Sequence, residues 1–205
     1  MPDATRTNAA DAPDPQLVPG RLPLPLDWSE IFGRRAPLAV EIGSGGGRFI
    51  IGEAERKPDW NFVGIEPSGE YFYVMKERVA KRSLANLKLV RTDAVDLIAS
   101  VFPDACVDHY HLYFPDPWPK KRHRKRRVIR PEFVAHVRRT LKPDGALYYA
   151  TDHFDALEDA LPVLREGLRV EEQSGPWPDA PEGRTNFEIK YIRQGRPIYR
   201  FVCRP

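Results

Sequence analysis

Asp116 stands alone among prolines in Tyr-Phe-Pro-Asp-Pro-Trp-Pro, residues 113–119, and the chain runs from there straight into Lys-Lys-Arg-His-Arg-Lys-Arg-Arg, residues 120–127. A carboxylate accepts hydrogen bonds and stabilises positive charge beside it, whereas guanidinium and ammonium groups grip phosphates. Side by side, these chemistries suit a nucleic-acid base and the phosphates attached to it. Pro115, Pro117 and Pro119 lack backbone donors and fix φ, so the acid rides on a stiff loop. Trp118 offers a face on which a base can stack, though an isolated loop aromatic serves as well for packing or as a lid. The basic run by itself is also what a solvated surface helix looks like. With the acid and prolines next to it, Lys121, Arg122, His123, Arg124, Lys125, Arg126 and Arg127 are expected on an RNA backbone.

Three more acids sit where ligands bind in open α/β sheets. Leu38-Ala39-Val40-Glu41-Ile42 has strand length, the turn Gly43-Ser44-Gly45-Gly46-Gly47 follows, and Arg48 to Ala54 has helical spacing. Strand, glycine turn and helix make the opening of a nucleotide-binding unit, with Gly43, Gly45 and Gly47 at the turn. Asn61 to Glu66 is a second strand, ending in an acid 23 positions after Gly43, where a carboxylate typically accepts from both hydroxyls of a ribose. Arg48 occupies the place of the third fingerprint glycine, and Glu41 would repel a pyrophosphate. Glu41 could instead pair with the ammonium of S-adenosylmethionine. Leu87 to Thr92 is a third strand, and Asp93-Ala94 after it is placed to accept from an adenine amino group. Any one of these acids is readily explained as a solvated loop residue; three at successive strand ends are not.

The elements that must carry these groups alternate along the chain. Ser68 to Arg82 reads as a helix capped by Ser68, and Val107 to Leu112 as the strand that delivers Asp116. His109 and His111 fall on one face of that strand, as packed histidines rather than metal ligands. Pro131 opens a helix that closes at Lys142-Pro143-Asp144-Gly145, and Ala146 to Ala150 is a strand ending on Thr151-Asp152. Phe154 to Glu166 is amphipathic despite Pro162, Arg169 to Glu171 starts a further strand, and Ile198 to Cys203 is a late one. The expected architecture is a three-layer α/β sandwich of Rossmann-like type, a mostly parallel sheet with an antiparallel late strand.

At 205 residues with 41% hydrophobic content, the chain suits one globular domain, taken as residues 26–205. Residues 1–25, rich in Pro, Ala and Asp, are expected to be a disordered tail and lack the features of a secretory signal. No apolar run approaches the ~20 residues of a membrane span. The net charge is +3, yet the block at 120–127 contains seven Lys and Arg, so the remainder is net acidic and the positive charge is a local patch. Cys106 and Cys203 form neither a metal spacing nor a disulfide framework, as in proteins of a reducing cytoplasm.

Taken together, Glu41-Ile42-Gly43-x-Gly45-x-Gly47, Glu66, Asp93-Ala94, Phe114-Pro115-Asp116-Pro117-Trp118-Pro119-Lys120-Lys121-Arg122-His123, Lys125-Arg126-Arg127, Thr151-Asp152 and Thr185-x-x-Glu188 resemble the bacterial tRNA (guanine-N7-)-methyltransferase family. The resemblance runs in order from about residue 38 to the end. Many methyltransferases share the glycine loop; the Pro-Asp-Pro-Trp-Pro-Lys-Lys-Arg-His run is highly specific. It implies a class I S-adenosylmethionine-dependent fold and formation of 7-methylguanosine at position 46, in the variable loop of tRNA. It marks Glu41, Gly43, Gly45, Gly47, Glu66, Asp93 and Ala94 as cofactor contacts and Asp116 as a cofactor contact that is also catalytic. Lys120, Asp152, Thr185, Asn186, Phe187 and Glu188 would then meet the substrate. A cytoplasmic enzyme acting on tRNA as a monomer or homodimer, with no obligate partner subunit, is expected. The glycine loop is richer in glycine than usual and the amino-terminal tail is not a family feature. Two rivals stand beside this reading: an exocyclic-amino methyltransferase, for which Asp116-Pro117-Trp118 lacks the second proline, and a non-enzymatic RNA-binding module built on the same fold.

Overall fold

A computed structural model describes residues 14–205; residues 1–13, the first part of the expected tail, lie outside the described residues. Among the described residues, eight strands form one sheet: β1 (Gln16–Leu17), β2 (Leu38–Ile42), β3 (Asn61–Ile65), β4 (Leu87–Val90), β5 (Val107–Tyr113), β6 (Leu141–Thr151), β7 (Arg169–Glu172) and β8 (Tyr199–Arg204). They lie in the order β1-β4-β3-β2-β5-β6-β8-β7, every pair parallel except the two that β8 makes, with β6 and with β7. The chain builds outward from β2 through β3 to β4, then returns to place β5 against the other side of β2. The order therefore reverses between β2 and β5, and in such sheets the crevice opens at the carboxyl ends of those strands. Glu41 and Asp116 belong to that crevice.

The helices cover both faces. Alternate residues of a strand point to opposite sides, so Leu38, Val40 and Ile42 of β2 pack with Leu97 of α4 (Ala94–Val101), Phe133 of α5 (Pro131–Thr140) and Leu157 of α6 (Phe154–Gly167). Ala39 faces the other way, onto Ile50 of α2 (Arg48–Arg56) and Phe72 and Met75 of α3 (Gly69–Ala80). Glu41, two residues on from Ala39, is thereby turned toward the α2 and α3 layer. A short helix α1 (Trp28–Phe32), capped by Asp27, and α7 (Asn186–Arg193) complete the set among the described residues. The expected three-layer sandwich with its antiparallel late strand is the observed one.

Several expectations need correcting. Residues 14–17, within the expected tail, are held at the sheet edge: β1 lines up beside β4, the Leu89 N–H donates to the Pro15 carbonyl and Lys76 reaches both Asp14 and Gln16. Main-chain pairing on an open strand edge requires no apolar pattern, so composition does not report it. Lys142 to Gly145 does not end α5 as a turn but lies within β6, where the register with β5 shifts between Val107 and His109. α4 and α7 were both missed. α4 is only eight residues long, so its buried stripe of Ala94, Leu97 and Ile98, with Asp96 and Ser100 on the open side, spans too few turns to stand out in the sequence.

Candidate active site

Glu41 comes at the carboxyl end of β2 and is 4% exposed. Its Oε2 is buried and has no hydrogen-bond partner among the described residues. Burial pushes its carboxyl up to about 8, partly opposed by Ser44 and the Ile50 amide and reinforced by the charge of Glu66. A buried acid with a free oxygen is costly unless something positive meets it. That orphaned oxygen fits a cationic ligand group, as the ammonium of S-adenosylmethionine would be.

The glycine turn bends over this carboxylate. Gly43, Gly45 and Gly47 have φ of 74°, 52° and 79°, which side chains rarely adopt. At Gly47 the reason is also steric, because an added Cβ would lie 2.6 Å from Met75 Cγ. Glu66, just beyond β3, ties the loop down: its Oε2 accepts from the Gly45 N–H at 2.7 Å and its Oε1 from the Ser68 N–H at 2.8 Å. Each carboxylate oxygen retains a second lone pair for hydroxyl donors. Asp93 caps α4 by accepting from the Val95 N–H at 2.8 Å through Oδ1, with Ala94 buried in the first turn. Glu41, Glu66 and Asp93 thus lie at or just past the same ends of three adjacent strands.

Asp116 follows β5 on an exposed loop and makes neither a hydrogen bond nor an ion pair among the described residues. The loop is strained on either side of it: Phe114 and Trp118 have φ of 50° and 41°. Arg127 supports it from beneath. This residue was expected on RNA phosphates, but the structure buries its side chain to 8% exposure. Its Nε donates to the Pro117 carbonyl at 2.7 Å, and Nη1 to the Asp155 carbonyl and the Asp159 carboxylate of α6. Arg124 shares Asp159 at 3.2 Å. The guanidinium fork has several protein carbonyls to satisfy here, which a spacing argument does not see. Lys120, Lys121, Arg122, Lys125 and Arg126 remain exposed, with His123 half-buried, on a short 3-10 helix spanning Lys121–Arg126. The Trp118 ring lies under Arg126, 4.9 Å from its guanidinium carbon, and meets His123 edge-on.

Asp152 comes just after β6, and its carboxylate accepts from Arg196. The Thr185–Glu188 segment opens α7. Thr185 is its cap, with Oγ1 accepting from the Glu188 N–H at 3.1 Å, while Asn186 and Phe187 are exposed. Glu188 was expected at the substrate, but it is fully buried, with one oxygen on Arg200 Nε at 2.7 Å and the other on the Arg184 N–H at 2.7 Å. Tyr191 of α7 touches Phe114 edge-on, the ring centroids 5.5 Å apart, so α7 adjoins the Asp116 loop. Arg184, which the sequence did not single out, sits with its guanidinium carbon 4.3 Å from the Trp177 ring and 5.1 Å from Tyr148. It donates to the Tyr113 hydroxyl and to Asp179, both at 2.5 Å, so the segment before α7 is fastened to β5. His111 is buried against the same cluster, Nδ1 at 2.8 Å from the Tyr113 hydroxyl; burial, then Arg184, hold it well below the usual histidine range.

A strand-order reversal flanked by an orphaned buried acid, a strained glycine turn and acids on neighbouring strand ends defines a class I methyltransferase that uses S-adenosylmethionine. In overall fold the chain is similar to the 16S rRNA methyltransferase KamB (TM-score 0.63, 15% identity, covering 87% of this chain and 93% of that one). It is likewise similar to an antibiotic-related methyltransferase (TM-score 0.61, 18% identity, covering 86% and 91%). A family model described as a putative methyltransferase matches residues 35–201. The tRNA (guanine-N(7)-)-methyltransferase of Alkalilimnicola ehrlichii is 38% identical over 178 residues, 85% of this chain and 75% of that protein. That of Rhodopirellula baltica is 36% identical over 196 residues, 91% and 72%. The chain belongs to the tRNA (guanine-N(7)-)-methyltransferase family.

Proposed function

We propose that this protein transfers the methyl group of S-adenosylmethionine to N7 of guanine 46 in the variable loop of tRNA. The observation that carries this reading is the pairing at one crevice of Glu41, whose buried free oxygen suits a cation, with the Asp116 loop, which leads directly into an outward-facing basic turn. Glu41, the turn at Gly43, Gly45 and Gly47, Glu66, and Asp93 with Ala94 hold the cofactor. When bound, the cofactor supplies an electrophilic methyl group on a sulfonium. Guanine N7 already has a free lone pair, so no base is needed to strip a proton from it; the task is positioning and management of charge. Asp116 and Asp152 accept from the N1 and N2 hydrogens on the opposite edge of the ring and favour the positive charge that grows on it. Lys120 and the exposed part of the 3-10 helix grip phosphates; Arg127 and Glu188 act by positioning the Asp116 loop and α7.

The test is transfer of a labelled methyl group from S-adenosylmethionine to unmodified tRNA transcripts, one set with guanine in the variable loop and a matched set with adenine there. Label in the guanine set alone, with aniline cleavage at that site after borohydride reduction, is the expected result. No label in either set, with cofactor binding intact, overturns the tRNA assignment.

Cofactor binding should also move a proton. At pH 7 Glu41, at about 8, is protonated in the free protein. An α-amino group, of ordinary pKa ≈ 7.7–8.0, is then mostly cationic. Pairing the two as carboxylate and ammonium releases close to one proton, so affinity rises with pH towards about 8 and falls above it as the amino group is neutralised. Calorimetric titration at pH 7 in two buffers of different ionisation enthalpy should read that release, and Glu41→Gln should remove it. No buffer dependence in the wild type would mean that Glu41 does not meet the ammonium.

A further inference from the structure

Arg196 holds Asp152 in an arrangement that copies a base. α7 ends in a Schellman turn: the Arg196 N–H donates to the Tyr191 carbonyl and the Gly195 N–H to the Ile192 carbonyl, both at 3.0 Å, with Gly195 at φ 64°. The reversal folds the Arg196 side chain back over the end of the helix. Its guanidinium carbon lies 4.1 Å from the Tyr191 ring centroid, and Nη2 donates to Asp152 Oδ2. A flat guanidinium is therefore stacked on an aromatic face while donating to a carboxylate. Tyr191 in turn meets Phe114, two residues before Asp116.

Guanine contains the same group. Its N1–H, C2 and N2–H2 form a planar guanidine fragment with parallel donors along one edge and a π-face on either side. A carboxylate and aromatic ring arranged for one accept the other. Adenine presents an acceptor at N1 and no donor at C2, and would set a lone pair against the carboxylate. We propose that Asp152 and Tyr191 form the seat for the guanidine edge of the target guanine, and that Arg196 occupies this seat until the base displaces it. The proposal rests on the reading above in which Asp152 contacts guanine, and adds Tyr191 as the stacking platform and Arg196 as the placeholder. Exposure agrees with the direction of exchange: the Arg196 side chain is 44% exposed and that of Asp152 12%. Arg196 has an open path to solvent and to an incoming phosphate, whereas Asp152 cannot leave.

The tether also matters. An arginine held on the same chain acts at a high effective concentration, so it excludes free cations from the seat yet yields to a base delivered by a bound tRNA. Steady-state methylation of the guanine transcript by the full chain tests this. Tyr191→Leu should raise the KM for tRNA on the order of tenfold by loss of stacking, with cofactor affinity kept, and Tyr191→Phe should recover most of that loss. Arg196→Ala should become sensitive to millimolar guanidinium chloride, with inhibition competitive against tRNA and absent with equal sodium chloride; the wild type should resist the same concentration. A KM unmoved by Tyr191→Leu, or equal guanidinium inhibition of wild type and Arg196→Ala, overturns the seat. A wild type that leaves the guanine transcript unmethylated is instead failure of the functional reading, and the seat falls with it.

Discussion

Asp116→Asn is expected to keep the fold and lose about a hundredfold or more of kcat. The side chain is exposed and makes neither a hydrogen bond nor an ion pair among the described residues, so asparagine of the same shape disturbs no packing. Under the proposed function, what it removes is a fixed negative charge beside the ring as the ring turns positive. Deleting a single preorganised electrostatic partner of a transition state typically costs ~10²–10³ in kcat. The loop is built for preorganisation: its prolines, the positive φ at Phe114 and Trp118, and the Arg127 fork beneath Pro117 all restrict where the carboxylate can go. Single-turnover methylation with the thermal midpoint measured alongside checks this. Turnover within about threefold of the wild type at an unchanged midpoint would remove Asp116 from the chemistry.

Glu188→Ala is expected to lower stability by ~3–5 kcal/mol, because it strands the Arg200 guanidinium, 6% exposed, without its partner. The same change frees the Arg184 N–H and removes the tie from α7 to β8. In a domain of this size such a loss lowers the melting midpoint by about 10 °C. A Glu188 that served the substrate directly would behave otherwise: its alanine variant would melt with the wild type and show only a raised KM for tRNA. Differential scanning calorimetry with tRNA kinetics on the same preparation separates the two.

What the sequence revealed and what it hid divide along a physical line. The bounds of β2 and the start of α2 follow from an apolar run, a glycine turn and a helical stripe, all local signals, and the sheet built on them was legible too. So was the clustering of Glu41, Glu66 and Asp93, since parallel strands bring their carboxyl ends to one edge whatever the rest of the chain does. Arg127, Glu188 and Arg184 were misplaced or overlooked for one shared reason. Each is a charged residue made internal by partners distant in sequence, respectively Asp159, Arg200 and the Tyr113–Asp179 pair, and composition favours placing such residues in solvent. One local signal was available and unused: Thr185-x-x-Glu188 is the pattern of a helix capping box, and it begins α7.

The placement of β8 between β6 and β7 has a consequence for the chain as it is made. β6, complete at Thr151, can join β5 at once, but its other edge stays open and β7, complete at Glu172, has no strand to pair with before Tyr199–Arg204 has been synthesised. At ~5–20 residues per second, the hydrogen-bonding edge of β6 is left open for several seconds on the ribosome. An unpaired edge is a template for the wrong partner, including the same strand on a neighbouring nascent chain. Vectorial synthesis therefore finishes the β2 to β5 side of the sheet early and leaves the β6 side, with α7 beside it, waiting for one late strand.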